Sequence, residues 1–212
     1  MALKKQAISF GGACATPATP TAAAGGSTGS TAYVYKIVAV LTDGTHSAVS
    51  AGGTASDGKA TLDETNFNTV SWTDPVVGHG AVIDHIDVYR TSSAGTPSTT
   101  GKIGVADAGD ETFDDTGLAG DASTAPSTNT TGVGTAVDAM HLTTMKFDIS
   151  GVGSATYTGK VSYDNGTSWA THGTPLTAAG SIALPNAATQ VRVDISSYVS
   201  GTAKGGFVGG SN

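Results

Sequence analysis

The sequence has 212 residues, enough for one or two domains of ordinary size, and two is the better interpretation. Hydrophobic residues make up 38% and charged residues 13% of the chain, which is too apolar for a disordered protein and too poor in charge for helices with solvated outer faces. The net charge of −7 argues against a chain that binds nucleic acid through clustered lysines and arginines, and no apolar run is long enough to span a membrane.

The first 15 residues are predicted to form an extended N-terminal arm or a single strand. Leu3, Ile8 and Phe10 are its large apolar side chains. The two lysines near its start are not followed by the roughly 7–15 apolar residues of a secretory signal, so we expect the protein to begin its life in a cytoplasm. Cys14 is the only cysteine, which excludes an internal disulfide framework and leaves stability to packing and assembly.

Residues 16–122 are predicted to form a β-sandwich. Its clearest strand covers 32–41, where Tyr33, Tyr35 and Ile37 share one face. Val34, Lys36, Val38 and Val40 share the other face. Shorter runs with period two predict four further strands. These cover residues 69–73, 82–91, 102–106 and 111–115. Several short strands separated by turn signals are typical of a sandwich or a small barrel.

Residues 123–136 contain mostly Gly, Ser, Thr and Pro and are predicted to be a linker. Residues 137–212 again contain short runs with period two separated by turn residues, and they predict a second, C-terminal β-sandwich. Its predicted strands cover residues 142–150, 155–163, 181–184, 190–195 and 204–208. No helix of three turns is predicted, so the expected fold is all-β.

The sharpest short motif is residues 162–169, Ser-Tyr-Asp-Asn-Gly-Thr-Ser-Trp. It resembles the Asp-box hairpin of sialidases and other β-propeller proteins, with Ser168 where that family usually has threonine. Asn-Gly accepts the positive φ of a tight turn and the aspartate can bond the turn backbone, so the motif predicts a structural hairpin. A sialidase would need repeated copies and an arginine cluster, whereas Arg90 and Arg192 are the only arginines. We therefore predict no catalytic residue.

Five acidic residues cluster between positions 107 and 115 of the first predicted domain. They are Asp107, Asp110, Glu111, Asp114 and Asp115. Several carboxylates could hold calcium, but the preferred interpretation is a solvated acidic edge that discourages strand aggregation. The five histidines show no spacing typical of a metal site. Neither a metal site nor a cofactor site is predicted.

Residues 17–121 resemble the fibronectin type III-like domains of tailed-phage virion proteins and of some bacterial surface proteins. Four segments in order carry the resemblance. They are residues 31–40, 70–72, 86–91 and 112–117. In that family the first is a core strand, the tryptophan strand packs against it, the Val-Tyr-Arg strand crosses the other sheet, and Asp-Thr-Gly ends the domain. The sequence departs from the pattern at residues 48–59, which leaves the edge strand there open.

Two further segments resemble phage structural proteins. Residues 190–201 look like the small β-modules at the ends of head and tail proteins. Residues 1–10 are similar to the starts of phage structural proteins, in which such an arm adds a strand to a neighbouring subunit. This resemblance makes Leu3, Ile8 and Phe10 the expected residues of partner contact.

The resemblance implies two small β-sandwich domains, the first fibronectin type III-like or Ig-like, behind an N-terminal arm. It implies a non-enzymatic virion structural protein that is assembled in the host cytoplasm, as a head decoration or fibre protein or a tail or neck accessory. The expected partners are capsid or tail subunits and further copies of the chain. Nucleic acid, membrane and cofactors are not expected partners.

The alternative function is a carbohydrate-binding or adhesive module for attachment to a host surface. Its contacts would be Trp169, Tyr163 and Tyr198, because aromatic rings stack on sugar rings when they are exposed. Packing of these three rings in the core or beneath the turn is the competing interpretation.

Overall fold

The computed structural model describes residues 2–151 and 153–211. It confirms the all-β prediction, with 51% strand and 0% helix. The strands in chain order are β1 (Ala2–Ala7), β2 (Ala13–Cys14), β3 (Thr21–Ala24), β4 (Thr31–Leu41), β5 (Gly53–Gly58), β6 (Asn68–Ser71), β7 (Val77–Gly78), β8 (Ile83–Ser93), β9 (Gly101–Asp107), β10 (Thr112–Asp115), β11 (Val137–Asp138), β12 (Thr144–Ser150), β13 (Ser154–Ser162), β14 (Ala170–Leu176), β15 (Gly180–Leu184), β16 (Gln190–Ser200) and β17 (Lys204–Ser211). Within the described ranges, no helix could cross a membrane.

The strands divide between two compact units, each a β-sandwich. Sandwich 1 consists of Thr16–Pro75 and Val82–Thr130. Sandwich 2 consists of the chain up to Ala15, the segment Val76–Ala81 and the chain from Thr131 onward. The polypeptide therefore crosses from one unit to the other four times.

This division differs from the predicted boundaries, which treated each domain as one continuous stretch. The predicted arm, residues 1–15, contributes β1 and β2 to sandwich 2 instead of preceding both domains. The predicted linker, residues 123–136, is shared between the two units. Its second half is held to the arm segment by backbone hydrogen bonds, from Gly132 N–H to Gly12 O (2.7 Å) and from Thr135 N–H to Ser9 O (3.1 Å).

Sandwich 1 contains a four-stranded antiparallel sheet, β5-β4-β8-β9, and a three-stranded one, β10-β6-β3. Tyr33, Tyr35 and Ile37 of β4 are fully buried, as predicted for the face they share, but Val38 on the opposite face is fully buried too. The Val-Tyr-Arg strand is β8, which pairs with β4 in the same sheet, while β6, just before the tryptophan, lies in the other sheet. β5 occupies the edge that the sequence had left open.

Sandwich 2 contains two four-stranded antiparallel sheets, β1-β17-β12-β15 and β11-β16-β13-β14, and the short pair β2-β7. Every second side chain of the central strands enters its core. Phe147 and Phe207 are directly opposite each other on β12 and β17, with ring centroids 5.7 Å apart. Tyr157 of β13 and Val191 of β16 fill the core from the other sheet. Ile8 and Phe10 of the predicted arm pack against this core.

Candidate functional site

The arm strand β1 lies at the end of its sheet and pairs antiparallel with β17. Leu3 is opposite Gly210 in this ladder, and the side chain of Leu3 lies outside the described residues. Just beyond β1, the N–H of Ile8 donates a hydrogen bond to Gly205 O (3.2 Å). The backbone of the arm is thus paired within its own chain, whereas the family resemblance implied pairing with a neighbour.

The apolar side chains of the arm also pack within their own chain. Ile8 and Phe10 are half-buried against the core of sandwich 2. A Cβ at position 205 would lie 2.4 Å from Ile8 Cδ1 and 2.9 Å from Phe10 Cζ, so only glycine leaves room for both. Phe10 meets Tyr157 edge to face, with centroids 5.4 Å apart. Ile8 and Phe10 are therefore used within sandwich 2, and the outer edge of β1 pairs with no strand among the described residues.

The hairpin after β13 is held by hydrogen bonds to one aspartate. Asp164 Oδ1 accepts from the Ser162 hydroxyl and from the Ser168 N–H, both at 2.8 Å, and its Oδ2 accepts from the Ser168 hydroxyl at 2.5 Å. Asn165 has a φ of 58° and Gly166 a φ of 90°, which the Asn-Gly dipeptide adopts readily. Trp169 Nε1 donates to Gly166 O (3.1 Å) and closes the turn. These contacts are structural, in agreement with the turn predicted from the motif.

The pKa of Asp164 is expected to be about 2, below its ordinary 3.8, because the Ser168 hydroxyl, the Ser168 N–H and the Ser162 hydroxyl all donate to the charged form. The carboxylate therefore stabilises the hairpin fully above pH 3.8, and this contribution is lost as the pH falls through about 2. A ¹³C titration of the carboxyl carbon measures the pKa. Ser168→Ala should raise it toward 3.8, and a wild-type value already near 3.8 would contradict the geometry.

The three aromatic rings proposed for sugar binding are in different environments. Tyr163 is 54% exposed. Trp169 is half-buried, and the guanidinium carbon of Arg192 lies 4.2 Å from its ring centroid. Arg192 is itself fixed by Asp194, with Nε 2.9 Å from Oδ1. Tyr198 is only 6% exposed and its hydroxyl donates to Gly201 O (3.1 Å), so it has no open face for a sugar.

The acidic group of sandwich 1 does not converge on one point. Asp114 Oδ1 accepts from the Thr69 hydroxyl (2.7 Å), and Glu111 Oε1 accepts from the Asp74 N–H (3.2 Å). Asp115, in contrast, is completely buried. Across the described residues, no group of three or more His, Cys, Asp or Glu side chains is placed to hold a metal ion. Glu111, Asp114 and Asp115 thus make separate contacts.

Asp115 belongs to a buried polar network that the sequence analysis missed. Arg90 Nη1 lies 2.5 Å from Asp115 Oδ2, and both side chains are 0% exposed. The same oxygen accepts the Tyr35 hydroxyl (2.8 Å), which in turn accepts a hydrogen bond from Asn68 Nδ2 (2.8 Å). Burial and the charge of Asp115 raise the pKa of Tyr35 far above its ordinary value, so its hydroxyl stays protonated. The network joins the two sheets of sandwich 1.

Arg90 also donates to backbone carbonyls of neighbouring loops. Its Nε and Nη2 donate to Thr99 O (3.1 and 3.0 Å), and Nη2 also donates to Leu118 O (2.6 Å). Asp115 Oδ1 accepts the N–H groups of Gly117 and Leu118 (3.1 and 3.2 Å). The ion pair therefore fixes the Asp-Thr-Gly turn that closes sandwich 1. Removing either side chain of this pair would leave the other charge buried without compensation.

Comparison with known proteins adds no identification, since no family model, curated protein or solved structure matches the chain.

Proposed function

We propose that the protein is a non-enzymatic structural component of a bacteriophage virion, either a head decoration or fibre protein or a tail or neck accessory. Its partners would be capsid or tail subunits and further copies of itself, and its location the virion after assembly in the host cytoplasm. The chain folds into two β-sandwiches, and its most strongly bonded charges, Arg90, Asp115 and Asp164, hold turns and sheets together. The sequence resemblance to phage structural proteins supplies the biological context.

The observation that carries this proposal is the outer edge of β1. In the part of the chain that the structure describes, β1 has one strand partner, β17, on one side only. Ile8 N–H points toward β17, so by the alternation of an antiparallel sheet the N–H groups of Lys5 and Ala7 point away from it. An edge strand with outward N–H and C=O groups can receive a strand from another subunit.

Lys5→Pro should block this edge without breaking the ladder within the chain. Proline removes an N–H that β17 does not use, and proline is tolerated on edge strands. We expect the variant to keep the wild-type unfolding midpoint but to be incorporated into particles at least about tenfold less, a loss of about 1.4 kcal/mol of association free energy. Quantitative mass spectrometry of purified particles measures incorporation.

Lys5→Ala is the matched control, because it removes the same charge and keeps the N–H. Equal incorporation of Lys5→Pro and wild type would show that the β1 edge is not the attachment point. Absence of the wild-type polypeptide from purified virions would overturn the structural role as a whole.

The alternative, a carbohydrate-binding or adhesive module, retains one specific observation in its favour. Tyr163, at the start of the hairpin, is 54% exposed and available for stacking on a sugar ring. A glycan array with wild type and Tyr163→Ala tests it, since a real site should lose its signal in the variant. Trp169→Ala is the comparison for a ring that is already stacked on Arg192. A wild-type array without signal would remove this alternative.

A further inference from the structure

The segment Val76–Ala81 is attached to sandwich 2 by few backbone contacts. Its strand β7 pairs with β2 over two residues, and Ala15 N–H donates to Val76 O (2.9 Å). A turn follows in which His79 has a φ of 57° and Gly80 a φ of 81°, closed by a hydrogen bond from Ala81 N–H to Gly78 O (3.1 Å). Two-residue pairing is too short to be stable alone, so the side chains of the segment must supply the rest.

The side chain of His79 is the main anchor of this segment. Its ring lies among three aromatic rings of sandwich 2, with centroid distances of 5.1 Å to Phe10, 6.4 Å to Tyr157 and 6.1 Å to Tyr198. Its Nε2 atom is buried and has no hydrogen-bond partner among the described residues. Gly78 allows the close approach, because a Cβ there would lie 2.1 Å from the Tyr198 hydroxyl oxygen.

No charged group in the described chain forms an ion pair with His79. The titratable groups around it are Tyr157 on β13 and Tyr198 on β16, both with a pKa raised by burial, and the arm contributes Phe10, which does not titrate. Cys14 on β2 lies opposite Val77 and near Tyr198. Burial keeps the Tyr157 and Tyr198 hydroxyls protonated near neutral pH, so neither ring supplies a counter-charge to an imidazolium at position 79.

We propose that His79 makes Val76–Ala81 a pH-sensitive latch, in which protonation of the imidazole releases the segment from β2 and from the aromatic rings. Burial lowers the pKa of His79 below its ordinary 6.5. The docked segment therefore binds protons less readily than the released one, in which His79 regains its ordinary pKa. Docking weakens as the pH falls below 6.5 and stops weakening once the pH is below the native pKa.

Amide hydrogen exchange of the full chain, followed by NMR, tests the latch. The Ala15 amide reports docking because it donates to Val76 O, and the Phe147 amide in the centre of its sheet reports unfolding of sandwich 2. Between about pH 7.5 and about pH 5, the protection factor of Ala15 should fall relative to that of Phe147, by up to about tenfold for each unit of pKa depression. An unchanged ratio would overturn the proposal.

His79→Asn and His141→Asn form a matched pair of variants. Both histidines have positive φ, 57° and 68°, which asparagine tolerates, and both belong to sandwich 2, but His141 is exposed. The pH dependence should vanish in His79→Asn and persist in His141→Asn. Its persistence in His79→Asn would assign the effect to another group.

If His79→Asn opens the segment at every pH, the proposal is tested instead by an NMR titration of the His79 ring in the wild-type protein, which measures the pKa of the imidazole. A midpoint below 6.5 supports the latch. A midpoint at or above 6.5 would mean that the aromatic rings stabilise the imidazolium, and the proposal would be wrong.

Discussion

Asp115→Asn is expected to destabilise sandwich 1 by about 3–5 kcal/mol, because it leaves the Arg90 guanidinium buried without its counter-charge. Both side chains of this pair are 0% exposed, so water cannot take over the lost contact. Urea unfolding gives the free energy. Each sandwich contains one of the two tryptophans, so Trp72 fluorescence in a Trp169→Phe background reports sandwich 1 alone.

The neighbouring residue provides the control for this prediction. Asp114→Asn makes the same chemical change one position away, where the carboxylate is exposed and bonded to Thr69, and should change the free energy of unfolding by about 0.5 kcal/mol or less. Adding Arg90→Met to Asp115→Asn should recover part of the loss, because the double variant buries no charge. A loss below about 1 kcal/mol in Asp115→Asn would mean that solvent reaches the pair.

Phe10→Ala is expected to destabilise sandwich 2 by about 2–3 kcal/mol, less than the usual loss for a fully buried phenylalanine because this ring is half-buried. The ring packs against Tyr157 and His79 and shares the space above Gly205 with Ile8. Trp169 fluorescence in a Trp72→Phe background follows the unfolding of this unit.

The same variant distinguishes two uses of the arm. Lys5→Ala, on the exposed part of the arm, is the control and should leave the unfolding free energy within about 0.5 kcal/mol of wild type. If Phe10→Ala kept wild-type stability but lost assembly, the arm would be exchanged between subunits in solution. Loss of stability in the isolated chain is the result that matches the docked arm.

The strands that the sequence predicted best are those with one buried and one solvated face. Residues 190–195 of β16 alternate between buried apolar and half-buried polar side chains, so period two alone determines both the strand and its inward face. In β4 both faces carry apolar side chains, and the pattern predicts the strand but not the burial of Val38. No such pattern predicts β14, because its side chains are mostly exposed and do not alternate. The location of Val76–Ala81 in sandwich 2 was also missed, because it depends on contacts with β2 that are distant in sequence.

The buried network shows what local patterns cannot reveal. Arg90 continues the inward positions of Ile86 and Val88 along β8, and a charge at such a position was a usable signal of a buried partner. The sequence could not identify that partner, because Asp115 stands beside exposed carboxylates and was grouped with them. Of the residues proposed for contact, Tyr163 is exposed, while Phe10, Ile8 and Tyr198 take part in packing.

The pairing of β1 with β17 affects the order in which the protein can fold during synthesis. Gln6 on β1 pairs with Phe207 on β17, so about 200 residues must be synthesised after Gln6 before its partner exists. Sandwich 1, which ends at Thr130, is complete while most of sandwich 2 is still untranslated. Domains generally fold as they emerge, and contacts of long sequence separation form slowly. β1 therefore stays unpaired until β17 has been synthesised, and its lysines are the kind of residue that keeps an unpaired strand from aggregating.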